Sequence, residues 1–350
     1  MHPQAIPSID ISALFAASSG ARELTDAAIA RSASEYGFLL VTGLPATVPL
    51  GAAARAALLR VFALPERDRQ RLWRRKFEPR NPNVYRGWFP LQPGNLTGKE
   101  GMDIGPDIAH GPELIDPADP LRGATPMPEE ASLPGWRGQV AAYYLAMESV
   151  ARVLMQSIAR GLGLEEQFFD AAFRHGLSTL RLLRYPVRTL ADLNACKDPQ
   201  LWVERGASRL HVVGAAHTDS GFMTLLAQDK VAGLEARGAD GAWVEVPPRE
   251  DSCVVNFGQV LEAWSAGRIK ATEHRVLGTG QQRYSIPFFY EARADAEISP
   301  LPGQAGRFEP FLYGDYLWAR IVSFVEFRGM AAERPPRRGG ALQLNSGGRL

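Results

Sequence analysis

The chain has 350 residues, of which 45% are apolar and 22% charged, with 39 basic against 38 acidic side chains and a formal net charge of +1. That suits one large globular unit, and near-neutral charge argues against nucleic acid as the main partner. No run of about 20 apolar residues spans a bilayer, the opening Met1-His2-Pro3-Gln4-Ala5 lacks the basic and apolar regions of a signal peptide, and two cysteines, Cys196 and Cys253, do not make a disulfide framework. These features predict a cytoplasmic protein, monomeric by default, with no membrane partner.

In chain order, alanine-rich segments with recurring apolar positions predict helices over 21–36 and 51–62. The basic run Arg67 to Lys76 reads as the solvated face of a helix, or as a patch that steers an acidic substrate. Residues 79–134, dense in proline and glycine, read as a loop-rich cover. Val140, Tyr143, Tyr144, Met147, Val150, Val153, Leu154 and Ile158 form one helical stripe within 135–161, better suited to core contacts than to a cofactor. From about Ser178 the pattern turns to short strands and turns, with Asp251 to Gly258 a buried strand and 269–276 another. A last helix is expected over 313–330. The tail from Ala331, including Arg334 to Gly340, is expected to be flexible and to fold over a site when substrate binds. This ordering divides the chain into an N-terminal helical and strand region with its cover (1–134), a supporting helix (135–177), a strand-rich core (178–310) and a C-terminal helix with its tail (311–350).

The chemistry concentrates in that core. His217-Thr218-Asp219 lies where an apolar strand gives way to a polar turn containing Gly221. Residues two apart in extended chain face the same side, so His217 and Asp219 can point at one interior position. His274 sits in a later strand. Two imidazoles and one carboxylate are the ligand set that holds non-haem Fe(II) and leaves coordination positions open. Taken alone, His274 also fits a hydrogen-bonded core histidine. Arg283 and Ser285 share one face of the next strand, and an inward arginine is costly unless it meets an anion. The pair therefore reads as a receptor for an organic carboxylate beside the metal.

With these residues in place, the sequence resembles the isopenicillin N synthase-like branch of the Fe(II)/2-oxoglutarate-dependent dioxygenases. The likeness runs from about Ile6 to about Met330. It includes Glu35 to Gly43, Phe62 to Pro65, Tyr85-Arg86-Gly87-Trp88, Lys99 to Asp103, His217 to Gly221, Gly233-Leu234-Glu235, Val255 to Gly258, Trp264 to Gly267, His274-Arg275-Val276 and Arg283-Tyr284-Ser285. The resemblance implies a mixed α/β (α+β) fold, a double-stranded β-helix (jelly-roll) barrel with flanking helices and a long helix before the core. It implies His217, Asp219 and His274 as iron ligands, Arg283 and Ser285 on the distal carboxylate of 2-oxoglutarate, and O2 as the oxidant. The reaction expected is oxidation of a small organic substrate with release of succinate and CO2.

Departures are few. The family's Asn-x-Tyr-Pro segment is represented by Leu183, Arg184, Tyr185 and Pro186, which keeps Tyr185 as a co-substrate candidate but replaces the asparagine. Isopenicillin N synthase itself carries the Arg-x-Ser pair without using 2-oxoglutarate, so an Fe(II) oxidase or cyclase working with O2 alone is the alternative. A non-catalytic small-molecule-binding barrel is the lesser one. Tyr85, Arg86, Trp88, Thr179 and Phe289 are the candidates for lining a substrate site. The kind of oxidation, whether hydroxylation, desaturation, cyclisation or ring expansion, is not encoded in these motifs.

Overall fold

The computed structural model describes residues 5–17, 19–205, 208–303 and 308–338. Among the described residues, fifteen strands arise in chain order: β1 (Ser8–Asp10), β2 (Phe38–Thr42), β3 (Gly87–Phe89), β4 (Glu100–Ile104), β5 (Thr179–Tyr185), β6 (Trp202–Arg205), β7 (Ser208–His217), β8 (Met223–Gln228), β9 (Leu234–Arg237), β10 (Trp243–Glu245), β11 (Cys253–Phe257), β12 (His274–Gly278), β13 (Arg283–Tyr290), β14 (Glu297–Ile298) and β15 (Phe311–Leu312). Eight build a major sheet ordered β1-β2-β11-β8-β13-β5-β4-β3, and five build a minor sheet ordered β10-β9-β12-β7-β6. Except for the parallel β1–β2 pair, the pairings are antiparallel.

The period-two alternation of the major sheet explains the layers. Leu39, Val41, Leu180, Leu182, Leu225, Ala227, Val255, Ile286 and Phe288 belong to a core shared with the helices. Phe38, Leu40, Leu183, Tyr185 and Val254 instead join Val213, Leu234, Ala236 and Val276 of the minor sheet in a second cluster between the sheets. Helix Trp136–Gly161 supports the first core; Val140, Tyr143, Tyr144, Met147, Val150, Leu154 and Ile158 are buried along it. Each such side chain contributes roughly 1.5–3 kcal/mol by leaving water. The helix stops at a Schellman arrangement, with Leu164 N donating to Ala159 O, Gly163 N to Arg160 O, and Gly163 at φ +75°.

Five expectations need correction. Two segments of the loop-rich cover are strands, β3 and β4, and complete one edge of the major sheet. Glu100 and Asp103 disguise β4 because their charges are buried against arginines. Within the basic run, Arg74 is fully buried on Asp103 rather than solvated. The strand around His274 begins only at that residue, and the C-terminal helix ends at Ile321 with turns beyond it, where the Ser323 hydroxyl bonds back to Arg320 O. Finally, residues 331–338 are docked. Arg334, 4% exposed, lies against Asp119 at 2.8 Å and Asp315 at 2.7 Å, and such buried carboxylates need a cation. The rest of the expected flexible tail, from 339, lies outside the described residues.

Candidate metal centre and its cavity

His217 ends β7 and His274 begins β12, and the two are directly paired across the minor sheet. Their rings lie 4.4 Å apart between centroids. Asp219 occupies the crossover from β7 to β8, one of the connections that pass between the two sheets. Its Oδ1 is 3.7 Å from His217 Nε2 and 3.8 Å from His274 Nε2. One ligand atom from each of the three residues falls within 4.8 Å of the others.

Partners around the cluster select which atoms are free. His217 Nδ1 donates to Ala215 O at 2.8 Å and His274 Nδ1 to Thr272 O at 3.1 Å. A carbonyl only accepts, so each ring carries its proton on Nδ1 and keeps the Nε2 lone pair. Asp219 Oδ2 accepts from Thr224 Oγ1 at 2.6 Å and from Asn256 Nδ2 at 2.7 Å, which turns Oδ1 toward the imidazoles. Burial, followed by the neighbouring His274, pulls His217 down to about 4, so it is neutral near pH 7. Burial alone would raise Asp219; the two histidines and its hydrogen bonds hold it below the usual carboxylate range. Two imidazole nitrogens and one carboxylate oxygen, each oriented by a second bond, fit a divalent iron.

The turn holding Asp219 is tightly packed. Gln259 N donates to Asp219 O at 2.9 Å, and a Cβ on Gly258 would meet the Gly221 carbonyl oxygen at 2.3 Å. Only glycine admits that approach.

Across the sandwich, Arg283 and Ser285 are buried on β13. Ser285 pairs with Gln228 on one side and Leu183 on the other, while Arg283 pairs with Tyr185. Arg283 Nη2 donates to Gln228 Oε1 at 3.0 Å, but its Nε and Nη1 are buried with no partner among the described residues. Its guanidinium lies 5.2 Å from the Tyr185 ring centroid. Donors left unsatisfied in this way are costly unless an anion meets them, and a carboxylate co-substrate fits that need.

Beside His217 and Asp219 lies a cavity of about 110 Å³. Of the five substrate candidates, Tyr85, Thr179 and Phe289 lie in its wall. The other two do not. Trp88 is packed edge-on to Phe62 in the core, and Arg86 donates to Thr179 Oγ1 and Leu177 O and borders a separate cavity. Sequence reasoning missed Lys99, Arg181, Glu291, Glu326 and the apolar wall formed by Leu317, Ile321, Phe324 and Phe327. For Glu291 the signal was present: it follows Phe289 by two positions, just past the end of β13. Burial, softened by the Tyr313 hydroxyl that bonds to it, raises Glu291 to about 8. Glu326 goes the other way, to about 2: burial would raise it, but Lys99 and Arg181 outweigh that.

Two facing sheets with a two-imidazole, one-carboxylate cluster between them define a non-haem iron oxygenase of the double-stranded β-helix class. Residues 178–292 match the 2OG-Fe(II) oxygenase superfamily, and residues 6–130 match the family described as non-haem dioxygenase in morphine synthesis N-terminal. The chain belongs to the 2OG-Fe(II) oxygenase superfamily and is an Fe(II)- and 2-oxoglutarate-dependent dioxygenase. It is 31% identical to the 2-oxoglutarate-dependent dioxygenase citB of Monascus ruber, over 85% of this chain and 87% of that protein. With isopenicillin N synthase of Streptomyces clavuligerus it shares 28% identity, over 93% and 97% of the two chains. A full-length Neurospora crassa protein crystallised with alpha-ketoglutarate superposes with a TM-score of 0.73 at 26% identity, covering 91% of this chain and 96% of that one. The rice dioxygenase for auxin oxidation gives 0.66 at 28% identity, with 91% and 95% covered.

Proposed function

We propose that His217 Nε2, Asp219 Oδ1 and His274 Nε2 hold the Fe(II), and that Arg283 and Ser285 receive the distal carboxylate of 2-oxoglutarate. The observation that carries this assignment is the set of unsatisfied atoms. Three ligand atoms converge on one side of the sandwich, and a buried guanidinium with two open donors waits on the other. Iron with 2-oxoglutarate and O2 supplies the oxidising chemistry, and 2-oxoglutarate leaves as succinate and CO2. The protein's own part is to bind, orient and exclude water. Tyr185 flanks the guanidinium, and the Ser285 hydroxyl stands beside it as a further donor.

The substrate enters the cavity next to His217, where Phe222, Phe289, Phe324 and Phe327 would pack an apolar body. Charge in the cavity wall favours an acidic group on that molecule. Two cations, Lys99 and Arg181, stand in that wall, and Arg181 shares the buried Asp103 behind it with Arg74. Lys99 reaches Glu326 Oε1 at 3.4 Å but donates no hydrogen bond among the described residues. A substrate carboxylate would complete this set. The free, buried Cys196 and Cys253 suit a reducing cytoplasm, and no helix of the described residues is long and apolar enough to cross a membrane.

Anaerobic titration with Fe(II) and then 2-oxoglutarate tests the centre through the weak visible charge-transfer band of the chelate. Loss of that band in His217→Ala, and its weakening in Arg283→Ala, is the expected result. Succinate release with matched acid and amide compounds tests the cavity. Wild type should prefer the acids, and Lys99→Met should lose the preference.

A further inference from the structure

We infer that Gln228 is a positioning residue for 2-oxoglutarate, acting through Arg283 rather than by touching the co-substrate; this rests on the carboxylate role proposed above for Arg283. Gln228 is the last residue of β8 and is 7% exposed. It stands opposite Ser285 in the sheet register, so its side chain emerges on the same face as Arg283 and Ser285. Its amide is held at both ends. Nε2 donates to Val246 O at 3.3 Å, and Oε1 accepts from Arg283 Nη2 at 3.0 Å. The Val246 carbonyl can only accept, so it fixes which end of the amide faces the guanidinium.

A neutral acceptor at this position has a specific consequence. Buried guanidinium groups usually meet a carboxylate, and one here would satisfy Arg283 permanently. Gln228 takes one donor without neutralising the charge, and Nε and Nη1 stay open. Arg283 is thereby held in one orientation and still short of an anion. Glutamine does here what glutamate, of the same length, would prevent.

The experiment compares Gln228→Glu, Gln228→Met and Arg283→Ala in the full chain, loaded with Mn(II) in place of iron. Binding of 2-oxoglutarate and of pyruvate is measured by calorimetry. Pyruvate has the 2-oxo acid group but no distal carboxylate, so it does not report on Arg283. Gln228→Glu is expected to weaken 2-oxoglutarate by about tenfold or more, as loss of a charge-assisted bond does, and to leave pyruvate unchanged. Gln228→Met, which keeps the volume but frees the guanidinium, should weaken 2-oxoglutarate by less. Adding Gln228→Glu to Arg283→Ala should cause no further loss.

Wild-type 2-oxoglutarate affinity in both Gln228 variants overturns the inference, as does a parallel loss of pyruvate binding. If Arg283→Ala itself leaves 2-oxoglutarate affinity unchanged, it is the carboxylate role of Arg283 that fails. That outcome is distinct from Arg283→Ala weakening binding while the Gln228 variants do not, in which case only the role of Gln228 fails.

Discussion

Asn256 donates its side-chain amide to Oδ2 of Asp219 at 2.7 Å, the same oxygen that Thr224 occupies at 2.6 Å. One carboxylate oxygen is thus committed to the protein and the other is left for a metal. Removing the amide frees the carboxylate to rotate. Asn256→Ala should lower Fe(II) affinity by roughly 10- to 100-fold, the usual effect of losing a bond behind a ligand. Competition against a chelator of known affinity measures it. Unchanged affinity would mean that Thr224 alone orients Asp219.

The carboxylate receptor makes a separable claim. Arg283→Ala should cost about 1.5–3 kcal/mol of 2-oxoglutarate affinity, and Ser285→Ala about 0.5–1.5 kcal/mol, since one bond is charge-assisted and the other neutral. Fe(II) binding without co-substrate should be the same in both variants. A fall in iron affinity would point to disruption of the sandwich instead.

Glu291 supplies a pH test. Its folded-state value is raised from 4.5 to about 8. Between those limits the unfolded chain has released the proton and the folded chain retains it. The folded state therefore binds more protons, and stability falls as pH rises through that window. Glu291→Gln removes the titration. Relative to that variant, wild type should lose on the order of a few kcal/mol between about pH 4.5 and 8. Urea unfolding at several pH values reads the difference, and parallel curves for the two proteins count against it.

Arg334 anchors the end of the described chain. Its guanidinium serves Asp119 and Asp315, both nearly inaccessible to water. Arg334→Ala leaves these carboxylates short of a cation, with Arg337 still 3.1 Å from Asp119. A loss of about 3 kcal/mol is expected, at the low end for breaking a buried pair. Denaturant unfolding checks it, and the cavity wall at Phe324 and Phe327 should become more accessible to protease.

The centre was legible in the sequence because its residue types are few and local spacing orients them. His217 and Asp219 share a face by strand periodicity, as do Arg283 and Ser285. The long helix was legible because its apolar stripe, from Val140 to Ile158, continues for about five turns. What sequence could not supply was register. Asn256, Thr224 and Gln228 acquire their partners only when β11, β8 and β13 align, and no local pattern encodes that alignment. Lys99 and Glu326 meet across 227 positions of chain. Trp88 packs against Phe62 in the core, a long-range contact that its own sequence neighbourhood does not encode. The short β4 was hidden because its burial depends on arginines supplied from elsewhere.

The position of Asp219 on the crossover gives bound iron a mechanical part. Two ligands come from one sheet, while the third is tied by Thr224 and Asn256 to the other. An ion gripping all three acts as a rivet through the sandwich. At a hundredfold excess over its dissociation constant, a ligand specific for the folded state adds about 2.7 kcal/mol. Metal supply then governs how long the molecule lasts as well as how fast it works, and a cell short of iron would hold a looser, more readily degraded population of this protein.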